Sequence, residues 1–80
     1  EPLGTHLVGD AVRDLVTLGS GPDTTYLIAT PTGLLMFDAG WRPMGVLEGD
    51  YVKVAAYDVQ ERTLAVFTAD ARLQMLRVGG

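Results

Sequence analysis

The chain has no cysteine and no asparagine, one histidine (His6), one serine (Ser20), one lysine (Lys53) and one tryptophan (Trp41). Each scarcity excludes something. Without cysteine there is neither a disulfide framework nor a thiolate zinc site. A single histidine rules out a two-histidine metal site within one chain. Nucleophilic catalysis needs a nucleophile beside a base. The one serine sits in Gly19-Ser20-Gly21, far along the chain from His6, which falls in a Pro- and Gly-containing leader. No apolar run approaches the roughly 20 residues of a membrane helix. No basic start precedes an apolar block, so no secretory leader is expected. Cysteine-free composition is compatible with a cytoplasmic setting.

What is present is apolar and acidic. The chain has 80 residues, 48% of them hydrophobic, and a formal net charge of −4. That length sets one domain, 1–80, whose small core leaves a thin stability margin. Such a chain gains from oligomerising or docking on a partner. Six Lys+Arg against ten Asp+Glu argue against the basic stripe that phosphate neutralisation requires.

No segment carries a sustained helical period, whereas short alternating runs recur between turn signals. Strands are expected over 11–18, 24–30, 34–37, 51–59, 63–68 and 72–78. Gly19 to Asp23 reads as a loop, and Pro31-Thr32-Gly33 as a tight hairpin turn. Asp38 to Pro43, with its Gly, Trp and Pro, reads as an irregular link. Taking one face of each strand, the expected core is Val12, Val16, Ile28, Leu35, Phe37, Val52, Val54, Leu64, Val66, Leu73 and Met75.

The two parts of the chain echo one another. Leu7, Gly9, Asp10, Val12 and Arg13 match Leu47, Gly49, Asp50, Val52 and Lys53 at a constant offset. Thr25, Ile28, Thr30 and Leu35 match Thr63, Val66, Thr68 and Leu73 at an offset two residues shorter. The longer first loop absorbs the difference. The expected architecture is therefore all-β: a small six-stranded barrel of two pseudo-symmetric β-β-β halves, roughly 7–37 and 45–78, joined by the link 38–44.

The stretch Gly45-Val46-Leu47-Glu48-Gly49-Asp50-Tyr51-Val52-Lys53-Val54 resembles the GD box of cradle-loop barrels, a group that includes double-psi barrels and swapped-hairpin transcription factors. OB-like barrels use a similar turn. The resemblance implies that the Gly permits the turn and the Asp caps its backbone N–H groups. It thus assigns structural roles to Gly49 and Asp50, and to Gly9 and Asp10 in the first half. GD boxes occur in enzymes, DNA binders and adaptors alike, so the resemblance implies no chemistry.

The carboxylates Asp10, Asp38, Asp50 and Asp70 all lie at turns, where Asx side chains commonly satisfy backbone N–H groups. Gly19-Ser20-Gly21 lacks the basic residue and following helix of a phosphate loop. Trp41 and Arg42, in an irregular segment beside Pro43, have the composition of an interface anchor, or of a plug for one barrel end. Tyr51 and Tyr57 are read as sharing a strand face and completing a candidate interface. No catalytic residue, metal ligand or cofactor is expected. The leading expectation is a non-enzymatic interaction or assembly module with a protein partner or a second copy. The alternatives are an OB-like binder of single-stranded nucleic acid or oligosaccharide, and a fragment of a larger GD-box enzyme.

Overall fold

The computed structural model of the chain describes residues 9–78. Seven strands appear: β1 (Asp14–Leu18), β2 (Thr25–Ala29), β3 (Gly33–Phe37), β4 (Pro43–Glu48), β5 (Tyr51–Asp58), β6 (Thr63–Thr68) and β7 (Leu73–Arg77). The only helical element among the described residues is one 3-10 turn, Gly21–Asp23. The strands form two antiparallel meanders, a four-stranded sheet β1-β2-β3-β4 and a three-stranded sheet β5-β6-β7. No helix among the described residues is long and apolar enough to cross a membrane.

One expectation is corrected, and one is met only at the level of the all-β class. The segment 38–44 is not a link between halves. Asp38 to Arg42 is a hairpin turn, and 43–48 continues as β4, paired with β3. Pro43 opens the strand, a position where its missing N–H is tolerated, and the register shift between Met36 and Phe37 accommodates it. Nor is a closed six-stranded barrel present among the described ladders. The sheets are joined instead by single hydrogen bonds. Tyr51 N–H donates to Thr30 O at 3.0 Å. Val54 N–H donates to Asp14 Oδ2 at 3.0 Å. An apolar cleft of about 270 Å³ lies between the β3–β4 hairpin and the end of β7, lined by Leu34, Met36, Leu47, Leu76 and Val78 among others.

The core lies between the sheets. It comprises Leu18, Leu27, Ala29, Leu34, Tyr51, Val54, Leu64, Val66 and Val78, with Val16, Met36 and Leu76 packed against it. The expected core residues Val16, Val54, Leu64 and Val66 belong here, and the expected Ile28 is buried as well, at 5% exposure. The expected face of β2, β3 and β7 is the outer one. Leu27 and Leu34 point inward, while Ile28 and Leu35 pair across strands on the opposite face. Val12, Val52, Leu73 and Met75 are exposed. In β5 the register shift between Tyr51 and Lys53 turns Tyr51 inward and leaves Val52 outside, because a bulge breaks the period-two alternation.

Two hairpins each close on a threonine. The Thr30 hydroxyl donates to Gly33 O at 2.7 Å and accepts from Gly33 N–H at 3.0 Å. The Thr68 hydroxyl accepts from Arg72 N–H at 3.3 Å and donates to the Asp70 carboxylate. In both, the Thr N–H donates to the carbonyl across the turn at 3.0 Å.

Candidate functional site

The Asp38 turn builds the most distinctive surface of the molecule. Asp38 Oδ1 accepts from the N–H groups of Gly40 and Arg42, each at 2.9 Å. Trp41 N–H donates to Asp38 O at 2.9 Å, and Asp38 N–H to Arg42 O at 3.0 Å. This Asx-held turn fixes Trp41 at a φ of 62°, a left-handed conformation that is costly for a bulky residue. Its indole then stacks on Tyr26, with ring centroids 4.0 Å apart and planes at 10°. It also tilts against Phe37 at 5.8 Å.

Tyr26 and Phe37 are cross-strand partners on the face of the first sheet that points away from the core. One step along, Leu15, Ile28, Leu35 and Val46 make a cross-strand row on that same face. Ile28 is buried within the row, while Leu15 and Val46 are exposed, as is Met44 beside them. The first sheet is thus apolar on both sides, its outer side topped by an aromatic cluster. The second sheet repeats this in miniature. Lys53, Phe67 and Leu73 form one outer row and Ala55, Ala65 and Met75 the next, with Phe67, Leu73 and Met75 exposed.

Of the expected interface residues, Trp41 and Arg42 sit at the edge of the aromatic face. Trp41 is partly buried against its neighbours rather than seated in the core between the sheets. Tyr51 does not belong there. It is 3% exposed within the core, while Tyr57 is 70% exposed. The register shifts that bracket β5 place them on different sides.

The Gly-Asp turns behave differently from one another. Gly49 has φ 149°, and a Cβ there would meet the Tyr51 ring at 2.9 Å, so only glycine fits without a shift. Asp50 does not cap its own turn. Its carboxylate takes an ion pair with Arg13, and its carbonyl accepts from Ala69 N–H at 2.9 Å. Asp10 does cap locally, accepting from Ala11 N–H at 2.7 Å, and it also accepts from the Thr32 hydroxyl at 2.6 Å. Gly9 has φ 87°.

A polar groove of about 500 Å³ lies beside the second turn, lined by Glu48, Asp50, Tyr51, Thr68, Asp70 and Arg72 among others. Its charges are largely engaged. Asp50 pairs with Arg13, and Asp70 with Arg72 at 3.1 Å and with the Thr68 hydroxyl. No group of three or more His, Cys, Asp or Glu among the described residues is placed to hold a metal ion. His6 and the Leu7-Val8 run before the first turn lie outside the described residues.

The Thr32 hydroxyl and then the Ala11 N–H hold the Asp10 carboxyl below its usual range. The Thr68 hydroxyl, and more weakly Arg72, do the same for Asp70. Burial raises the Tyr51 phenol above its ordinary value. A depressed carboxyl contributes stability that is present above its unfolded pKa, about 3.9, and lost as the pH falls through the folded value. A raised phenol contributes stability present below about pH 10 and lost as the pH rises through the folded value. The thermal midpoint should therefore be flat across neutral pH and fall below about pH 4. The combined variant Asp10→Asn, Asp70→Asn should show a shallower acid limb in melts recorded by circular dichroism. An unchanged limb would show that other carboxyls govern acid unfolding.

Two groups important to the architecture escape sequence reading. Asp14 joins the sheets through Val54, and Arg62 reaches Thr25, Asp23 and Val78 at once. Compared with protein-family models, curated proteins and solved structures, the chain matches none of them.

Proposed function

We propose that the chain is a non-enzymatic interaction module whose working surface is the outer face of the first sheet. The observation that carries this is the aromatic-topped apolar face itself: Trp41 stacked on Tyr26 and tilted against Phe37, continuous with the row Leu15, Ile28, Leu35 and Val46. A contiguous exposed apolar patch on a small domain marks a docking surface, and aromatic residues carry much of the energy of such surfaces. The acidic balance of the chain favours a protein partner over nucleic acid.

The proposal includes the origin of the scaffold. We read the two meanders β1-β2-β3 and β5-β6-β7 as copies of one GD-box-headed unit related to a barrel half, with β4 added to the first. The matched Thr30 and Thr68 support this, since each donates its N–H to the carbonyl across the turn and accepts at its hydroxyl from the N–H of the same residue.

Trp41 fluorescence tests the working surface. Acrylamide quenching should weaken severalfold when the chain is assembled, either with itself at high concentration or in the complex isolated from its source. Leu15→Glu, at the far side of the same face, should remove that protection while leaving the thermal melt unchanged. Equal quenching in dilute and assembled protein would overturn the reading.

A further inference from the structure

The edge of the first sheet is open. All six residues of β4 are exposed. The ladder's phase shows which backbone groups are unpaired. Gly49 N–H donates to Thr32 O, making that a hydrogen-bonded pair. In an antiparallel ladder such pairs recur every second residue, so Leu47 and Gly45 turn their polar groups toward β3. Thr30 N–H to Gly33 O on the other side of β3 gives the same phase. Val46 therefore presents its N–H and C=O outward and Glu48 its N–H, while Glu48 O accepts from the Tyr51 hydroxyl at 3.4 Å. Pro43 has no N–H, and the register shift beside it blunts the first part of the edge, as natural edges often are. The open part is Met44 to Glu48.

This stretch is bounded by opposite charges, Arg42 before it and Glu48 at its end. Neither has an ion-pair partner among the described residues, and both are exposed. An antiparallel copy of the same strand supplies the complement of each. Parallel pairing would set Arg42 against Arg42.

We propose that β4 pairs antiparallel with β4 of a second copy of this chain, with the twofold axis at Val46. The register shift at Pro43 moves Arg42 one place along, so it is flanked by Glu48 and Asp50 of the second copy, within the reach of a long side chain. Symmetry makes every such contact twice. The row Leu15, Ile28, Leu35 and Val46 continues into its counterpart, so the two outer faces become one face of an eight-stranded sheet. This rests on the interaction-module reading and names its partner and its register.

Sedimentation across the micromolar to millimolar range should show a monomer–dimer equilibrium. Arg42→Glu and Glu48→Arg should each weaken it roughly tenfold, the scale of one lost interfacial charge contact. The two substitutions together should recover part of it, because the contact between positions 42 and 48 is re-formed with its signs exchanged while Asp50 is unchanged. Because the chain has no cysteine, Val46→Cys should cross-link to a covalent dimer on oxidation, its Cα atoms being at disulfide distance across the axis. Tyr57→Cys, exposed on β5, should not. A monomer at every concentration would overturn the proposal. A dimer that forms without the Val46→Cys cross-link, or that ignores the charge exchange, would overturn it too. Trp41 protected in a complex, with no such dimer, would sink this inference while leaving the interaction-module reading in place.

Discussion

Leu27→Asp should unfold the chain, and Leu73→Asp should leave it folded. Leu27 is 0% exposed at the centre of the core, against Leu73 at 57%. An ionised carboxylate at Leu27 has no partner on the inner face, and the effective penalty for such a burial is several kcal/mol. Losing the leucine packing adds about 2–5 kcal/mol. The whole stability of an 80-residue domain is on the order of 5–10 kcal/mol, so the folded population should collapse. At Leu73 the carboxylate stays in water, and such surface changes usually cost within about 0.5 kcal/mol. Circular dichroism and amide exchange would read both. A cooperative melt for Leu27→Asp, or loss of one for Leu73→Asp, would show that the inward and outward faces are assigned the wrong way round.

That pair of residues marks where the sequence was legible and where it was not. The all-β class and six of the seven strands could be read, because turn residues and short apolar runs mark them. The facing of β2 and β3 could not. Leu27 and Ile28 are adjacent and both apolar, as are Leu34 and Leu35. Period two separates two faces, but it cannot say which is the core when both are hydrophobic. The same redundancy that hid the core is what makes the outer face a candidate docking surface. β4 was missed because Pro43 and Gly45 read as breakers, and only the irregular pairing with β3 shows how a strand can contain them. Trp41 and Arg42 stand out by residue type alone. Their relation to Tyr26 and Phe37 depends on cross-strand pairing, which no local pattern reveals. Tyr51 and Tyr57 share a face under strict period two, and the register shift after Tyr51 turns them to different sides.

Arg62 was invisible for the same reason, since nothing in Gln60-Glu61-Arg62-Thr63 distinguishes it from a solvated turn residue. In the structure its Nε donates to Val78 O at 3.2 Å, one terminal nitrogen donates to the Thr25 hydroxyl at 2.6 Å, and the other reaches Asp23 O at 3.5 Å. Its own carbonyl accepts from Val78 N–H at 2.8 Å. One guanidinium thus ties the β5–β6 turn to the end of β7 and to the start of β2, linking both sheets. Hydrogen bonds to charged groups contribute about 1.5–3 kcal/mol, and Thr25, 3% exposed, would be left with a buried hydroxyl lacking this donor. Arg62→Ala should therefore cost about 2–4 kcal/mol, lowering the thermal midpoint by roughly 10–20 °C at this size. Arg62→Lys should rescue little, because one ammonium cannot span acceptors arranged around a planar fork. Arg62→Gly should recover about 1 kcal/mol relative to Arg62→Ala, since the residue sits at φ 52°, where glycine carries no left-handed penalty. In a Thr25→Val background the cost of Arg62→Ala should shrink, and that coupling isolates the bond between the sheets. Equal melts for Arg62→Ala and the unmodified chain would reduce this clamp to a surface contact.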